Sequence, residues 1–110
     1  MLNEHDFQEK CSQALNDLEN RIGNASEEND FEVESGRGML TLDFEEPPGR
    51  FIFSPNSPVR QIWVSALSTS FKFDWDDASQ QFVLDKTREP FLTVVATLLQ
   101  KQLGKEVKLG

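Results

Sequence analysis

Carboxylates are the side chains whose number and spacing could do chemistry in this sequence. Asp6 and Glu9 lie three residues apart in a stretch with helical spacing, so they are neighbours on one helix face. Glu27, Glu28, Asp30, Glu32 and Glu34 crowd a second stretch. Glu32 and Glu34 alternate as in a strand and project to one side. Hard cations prefer oxygen ligands, and iron accepts carboxylates readily, with water completing its shell. With no His or Cys to enforce selectivity, such a site would be shallow, weak and permissive for other divalent cations. The plainer reading of single acids is ion pairing at i,i+4, Asp6 with Lys10 and Asp17 with Arg21.

Other chemistries lack their parts. There is one His, His5, one Cys, Cys11, and no Tyr. A Ser/His/acid or Cys/His set would need His5 to be met by long-range folding. A lone cysteine allows neither an intramolecular disulfide nor a cysteine-based zinc site. Cys11 falls on the apolar stripe of a predicted helix, where it packs as a small hydrophobe. Gly36-Arg37-Gly38 sits in a turn and is no phosphate loop. Asp74-Trp75-Asp76-Asp77 lacks the ligand spacing, central Gly and terminal Glu of a calcium loop. The inventory argues against a hydrolytic or redox enzyme.

The formal charge of −8 is segregated. Residues 1–34 hold ten acids and two bases, and residues 35–110 hold nine of each. Nucleic acid is disfavoured, because binding it takes Lys and Arg to neutralise phosphate. Cations or a basic protein surface suit this field, while the bland account of the acidity is solubility.

The elements that would position these groups read clearly. Phe7, Cys11, Ala14, Leu15, Leu18 and Ile22 recur every three or four residues, which predicts a helix from about Glu4 to Ile22. Asn3 is its expected N-cap and Gly23-Asn24 its expected stop. Six strands with short connections follow, around Phe31–Glu34, Leu40–Phe44, Phe51–Phe53, Gln61–Ser65, Phe71–Trp75 and Gln81–Leu84. Ser54 to Pro58 is expected to break the third. Phe91, Val94, Val95, Leu98 and Leu99 predict a second helix, capped by Thr87 with Pro90 early and ended by Gly104. The sum is one domain over residues 1–110. It is an α+β two-layer sandwich, a mainly antiparallel sheet of about six strands with both helices on one face. No apolar run reaches the roughly 20 residues of a membrane span. The acidic start resembles neither a secretory signal nor a transit peptide, so a cytoplasmic protein is expected.

In this arrangement Ile62 and Val64 face the helices, and Gln61 and Trp63 share the other face with Thr41 and Asp43. Two readings of Trp63 are open. It is an interface anchor, or it is half-buried by local neighbours.

The order helix–strands–helix with an acidic first helix and first strand resembles the frataxin family. Pro58-Val59-Arg60-Gln61-Ile62-Trp63-Val64-Ser65 is similar to the family's central strand motif. Gly38-Met39-Leu40-Thr41-Leu42 and Phe73-Asp74-Trp75 resemble its neighbouring strands. The resemblance covers essentially the whole chain and is nearest to the bacterial members. It implies a non-enzymatic iron-binding regulator of iron–sulfur cluster assembly that docks on a cysteine desulfurase and its scaffold protein. The acidic ridge carried over by position is Asp6, Glu9, Glu19, Glu27, Glu28, Asp30, Glu32 and Glu34, and the open-face residues are Gln61 and Trp63. Asp43 is expected to join the partner surface. Where the family has consecutive acids at the end of helix 1, this chain reads Glu19-Asn20-Arg21-Ile22-Gly23-Asn24, so the metal cluster there is thinned. An iron carrier or storage module, assembling on iron, is the alternative. An acidic adaptor unrelated to iron is a third. In either case the monomer should be self-sufficient.

Overall fold

The computed structural model describes residues 3–29, 31–36, 38–45, 48–104, 106–107 and 109, with the side chains of 24–29 outside that set. Helix α1 spans Glu4–Asn29. The Asn3 side-chain oxygen accepts the Asp6 N–H at 2.8 Å, so the expected cap forms. Phe7, Cys11, Leu15, Leu18 and Ile22 are buried along one stripe. The expected stop at Gly23-Asn24 is wrong. A glycine ends a helix by turning left-handed, and Gly23 does not take positive φ. An interior glycine costs only about 1 kcal/mol relative to Ala, and good helix formers follow. Gly104 is the contrasting case, at φ 71° with its N–H on Gln100 O at 2.9 Å.

The strands are β1 (Phe31–Gly36), β2 (Met39–Phe44), β3 (Gly49–Asn56), β4 (Gln61–Ala66), β5 (Thr69–Asp76) and β6 (Gln81–Leu84). They form one antiparallel meander in chain order. Residues of one parity put Leu40, Leu42, Phe51, Phe53, Ile62, Val64 and Phe73 under the helices, all at most 1% exposed. The break expected at Ser54-Pro55 does not occur, since β3 runs on to Asn56 before a short 3-10 turn, Ser57–Val59. The reason is register. Pairing with β2 ends at Leu40–Phe53, while pairing with β4 continues to Asn56–Gln61. Pro55 therefore sits where β3 has become an edge, and its missing N–H leaves no gap in a ladder.

Helix α2 spans Phe91–Leu103 and starts from Pro90 as N-cap, not Thr87. The Thr87 hydroxyl instead accepts the Glu89 N–H at 3.3 Å, closing the preceding turn. Phe91 stands edge-on to Phe73 at 5.0 Å and to Phe53 at 6.1 Å, which fixes α2 over the sheet centre. The tail returns beneath α1, where Val107 and Leu109 are buried. Arg21, paired with Asp17 at 2.8 Å, donates to Leu109 O at 2.7 Å. That pair is thus structural. No helix of the described residues is long and apolar enough to cross a membrane.

Candidate functional site

The uncovered sheet face carries a connected set of polar groups around Trp63. This indole is 39% exposed, because the helices cover only the opposite face. Its N–H donates to Gln61 Oε1 at 2.9 Å, two residues back on the same face of β4. The amide of Gln61 in turn donates to Asp74 Oδ1 at 2.9 Å across the β4–β5 pair. Gln61 is thereby oriented at both ends. Lys72, directly opposite Trp63, lies 5.0 Å over its ring. Arg88 continues the set, 3.9 Å from Asp74 and 3.8 Å from Asp76. Asp76 is held below the usual carboxylate range, first by the Ser79 hydroxyl at 2.6 Å and only last by Arg88.

Nearer β1, Glu32 and Glu34 are both exposed on this face. Glu32 stands opposite Asp43 in the β1–β2 register, and Asp43 opposite Arg50 in β2–β3. Arg50 Nε meets Asp43 Oδ1 at 2.7 Å. The Asp43 carboxylate, by hydrogen bond and then by charge, holds the guanidinium above its ordinary range. Asp43 is therefore half of an ion pair and not a free acid. Arg50, Lys72, Asp74 and Arg88 were missed in the sequence. The cross-strand positions of Arg50 and Lys72 become visible only once the register is known.

The second place of interest is the start of α1. His5, Asp6 and Glu9 are exposed, and one ligand atom from each lies within 4.8 Å of the others. His5 Nε2 is 3.9 Å from Glu9 Oε2. His5 is not among the ligands expected from the sequence, although its i,i+4 spacing to Glu9 is a signal for it. Lys10 does not take the expected role toward Asp6 but lies 5.5 Å over the Trp75 ring. Glu19 is ten residues beyond Glu9, about 15 Å along the helix axis, and lines a separate groove beneath the β1–β2 hairpin. Neither Glu19 nor Glu32 joins the His5 group. The side chains of Glu27 and Glu28, and Asp30 altogether, lie outside the described residues.

Comparison with known proteins gives one consistent result. The frataxin-like domain family matches residues 1–105. The iron–sulfur cluster assembly protein CyaY of Pseudomonas fluorescens strain Pf0-1 is 30% identical over 102 residues, covering 93% of this chain and 87% of the relative. That of strain SBW25 is 32% identical over 103 residues, covering 94% and 88%. A solved frataxin from Psychromonas ingrahamii superposes with a TM-score of 0.78 over 99% of both chains at 23% identity, a likeness of fold.

Proposed function

This chain belongs to the frataxin-like family, and from that premise we propose that it is a non-catalytic accessory protein of iron–sulfur cluster assembly. It docks on a cysteine desulfurase and its scaffold protein. The acids of α1 and β1 meet a basic surface, and Gln61 and Trp63 anchor the contact across the open sheet face. The observation that carries this reading is Trp63. A large aromatic, 39% exposed, stands on a polar face that the helices leave free, held in place by Gln61 and Lys72. Such a residue loses little freedom on docking and removes much apolar area from water. Glu32 and Glu34 supply long-range attraction, which steers encounter and is screened by salt. Asp43 contributes to this surface as a pair with Arg50. Glu28 and Asp30 belong to it by sequence position.

The test is titration of isotope-labelled chain with a bacterial cysteine desulfurase, followed by amide NMR. Saturable shifts in residues 4–34 and around Trp63, weakening as salt rises, are expected. No shift at low salt overturns the docking role.

A second reading has its own observation, the His5, Asp6 and Glu9 group. One imidazole and two carboxylates in full contact with water suit a weakly held divalent cation, with iron as cargo. Asp6, Glu9, Glu19, Glu27, Glu28, Asp30 and Glu32 are the ligands this reading draws on, in more than one place. It predicts Fe(II) uptake that survives ordinary buffer salt and falls when Asp6 and Glu9 are changed to Asn and Gln. Equal displacement of iron by magnesium sinks it.

A further inference from the structure

The two edges of the sheet are finished differently. The β6 edge is closed by its own chain: Val83 pairs with Pro90, Leu84 N–H donates to Glu89 O at 2.8 Å, and Arg88 N–H donates to Leu84 O at 2.8 Å. The β1 edge pairs with β2 on one side, and no strand of the described residues lies on the other. The backbone groups it offers follow from the register. Gly36 and Met39 close a two-residue hairpin, and the closing pair of such a hairpin exchanges both backbone hydrogen bonds. Alternation then places Glu34–Thr41 and Glu32–Asp43 in the bonded set. Phe31, Val33 and Ser35 turn their N–H and C=O groups outward.

We propose that the outer edge of β1 receives an extended, lysine- or arginine-bearing segment of a partner protein as a seventh strand. This deepens the docking proposal and rests on it only for which protein supplies the strand. Charge selects the occupant. Residues 1–34 hold the entire net charge of −8, and Glu32 and Glu34 stand exposed on the open face of the strand concerned. A second copy of this chain would bring those glutamates against their own counterparts, and like charges directly opposite one another in a sheet destabilise the pairing. A basic strand instead sets alternate cations beside them, while its main chain completes the ladder.

The probe is an acetylated, amidated peptide alternating Lys with Val and Thr, added to the full labelled chain. Hydrogen exchange separates strand addition from charge attraction. At saturation the amides of Phe31, Val33 and Ser35 should gain at least tenfold protection, whereas those of Glu32, Glu34 and Gly36 are protected already. Val33→Pro removes an outward N–H and keeps both charges, so it should weaken binding at least tenfold. Glu32→Lys with Glu34→Lys should do the same. Binding with no new protection, or binding that Val33→Pro leaves intact, overturns strand addition. If Val33→Pro fails to fold, exchange in the unaltered chain decides alone. A dimer of the free chain that already protects those three amides also overturns it, since a second copy is then the occupant. Peptide pairing with no desulfurase response removes the docking role and leaves the edge site. Desulfurase shifts without peptide pairing remove only the edge site.

Discussion

Trp63 and Trp75 stand on adjacent strands, on opposite faces of one sheet, and each has a lysine over its ring and its indole N–H on a side chain two residues away. Their surroundings differ. Trp75 lies edge-on to Phe82 at 5.2 Å and packs against the core beside α1. Trp63 has Gln61 beside it on its own strand, with Lys72 and Ser54 opposite on the two neighbouring strands, and among the described residues no helix covers this face. The same residue type, with like partners, packs partly buried against the core on one face and is 39% exposed on the other. Local chemistry does not separate the two. The placement of the helices does.

The largest expected effect tests the covered face. Trp75→Ala should lower unfolding stability by about 3 kcal/mol, because it empties space against packed aromatics. Trp63→Ala should cost under about 1 kcal/mol. Urea unfolding of both variants checks this, and similar losses would erase the distinction.

Next comes a group buried beneath α1. Cys11 is 2% exposed, and burial pushes its thiol up from 9.0 to about 11. The folded state resists ionisation that the unfolded chain undergoes near pH 9. The associated stability is complete below pH 9 and is lost as pH rises to 11. The loss is on the order of 2 kcal/mol. Cys11→Ala should lower stability at neutral pH and flatten that slope. A slope unchanged by the substitution would mean that another group sets it.

On the open face the effect is in binding. Trp63→Ala should weaken desulfurase docking at least tenfold, about 1.4 kcal/mol, while Trp75→Ala, measured where it is folded, leaves it within threefold. Calorimetry of both variants reads this directly, and the reverse order would move the docking face to the helix side.

The smallest effect concerns the hairpin that carries Trp63. Leu67 and Ser68, at φ 52° and 61°, hold a left-handed turn with side chains poorly suited to it. Leu67→Asn with Ser68→Gly should raise stability by up to about 1 kcal/mol without altering docking. Altered docking would make Leu67, itself 39% exposed, part of the contact.

Much of the fold is legible in the sequence because its periods are clean. Phe7 to Ile22 repeats at helical spacing and Leu40 to Phe44 at strand spacing, and each period serves a burial face. The errors fall where tertiary context overrides a local sign. Gly23 signals a helix end but stays helical, since its φ is set by the continuing chain. Pro55 signals a strand break but is tolerated, because β2 has already ended beside it. Thr87 signals a cap but is used by a turn. At the candidate site the types of Gln61, Trp63, Glu32 and Glu34 are readable, and so is the parity that puts them on one face. Their partners are not, since Lys72 meets Trp63 and Asp74 meets Gln61 across strands, as Arg50 meets Asp43.

What the sequence by itself determined is the order of elements, the two-layer arrangement and the concentration of negative charge in residues 1–34. These depend on composition and on periods of two and 3.6, which are properties of neighbours along the chain. Only the tertiary structure decided that Asp43 is neutralised by Arg50, and that one sheet edge is closed by its own chain while the other carries no further strand among the described residues. Those outcomes depend on register and on the path of the connecting turns. A shift of one residue between strands would exchange every cross-strand partner and turn each side chain to the other face.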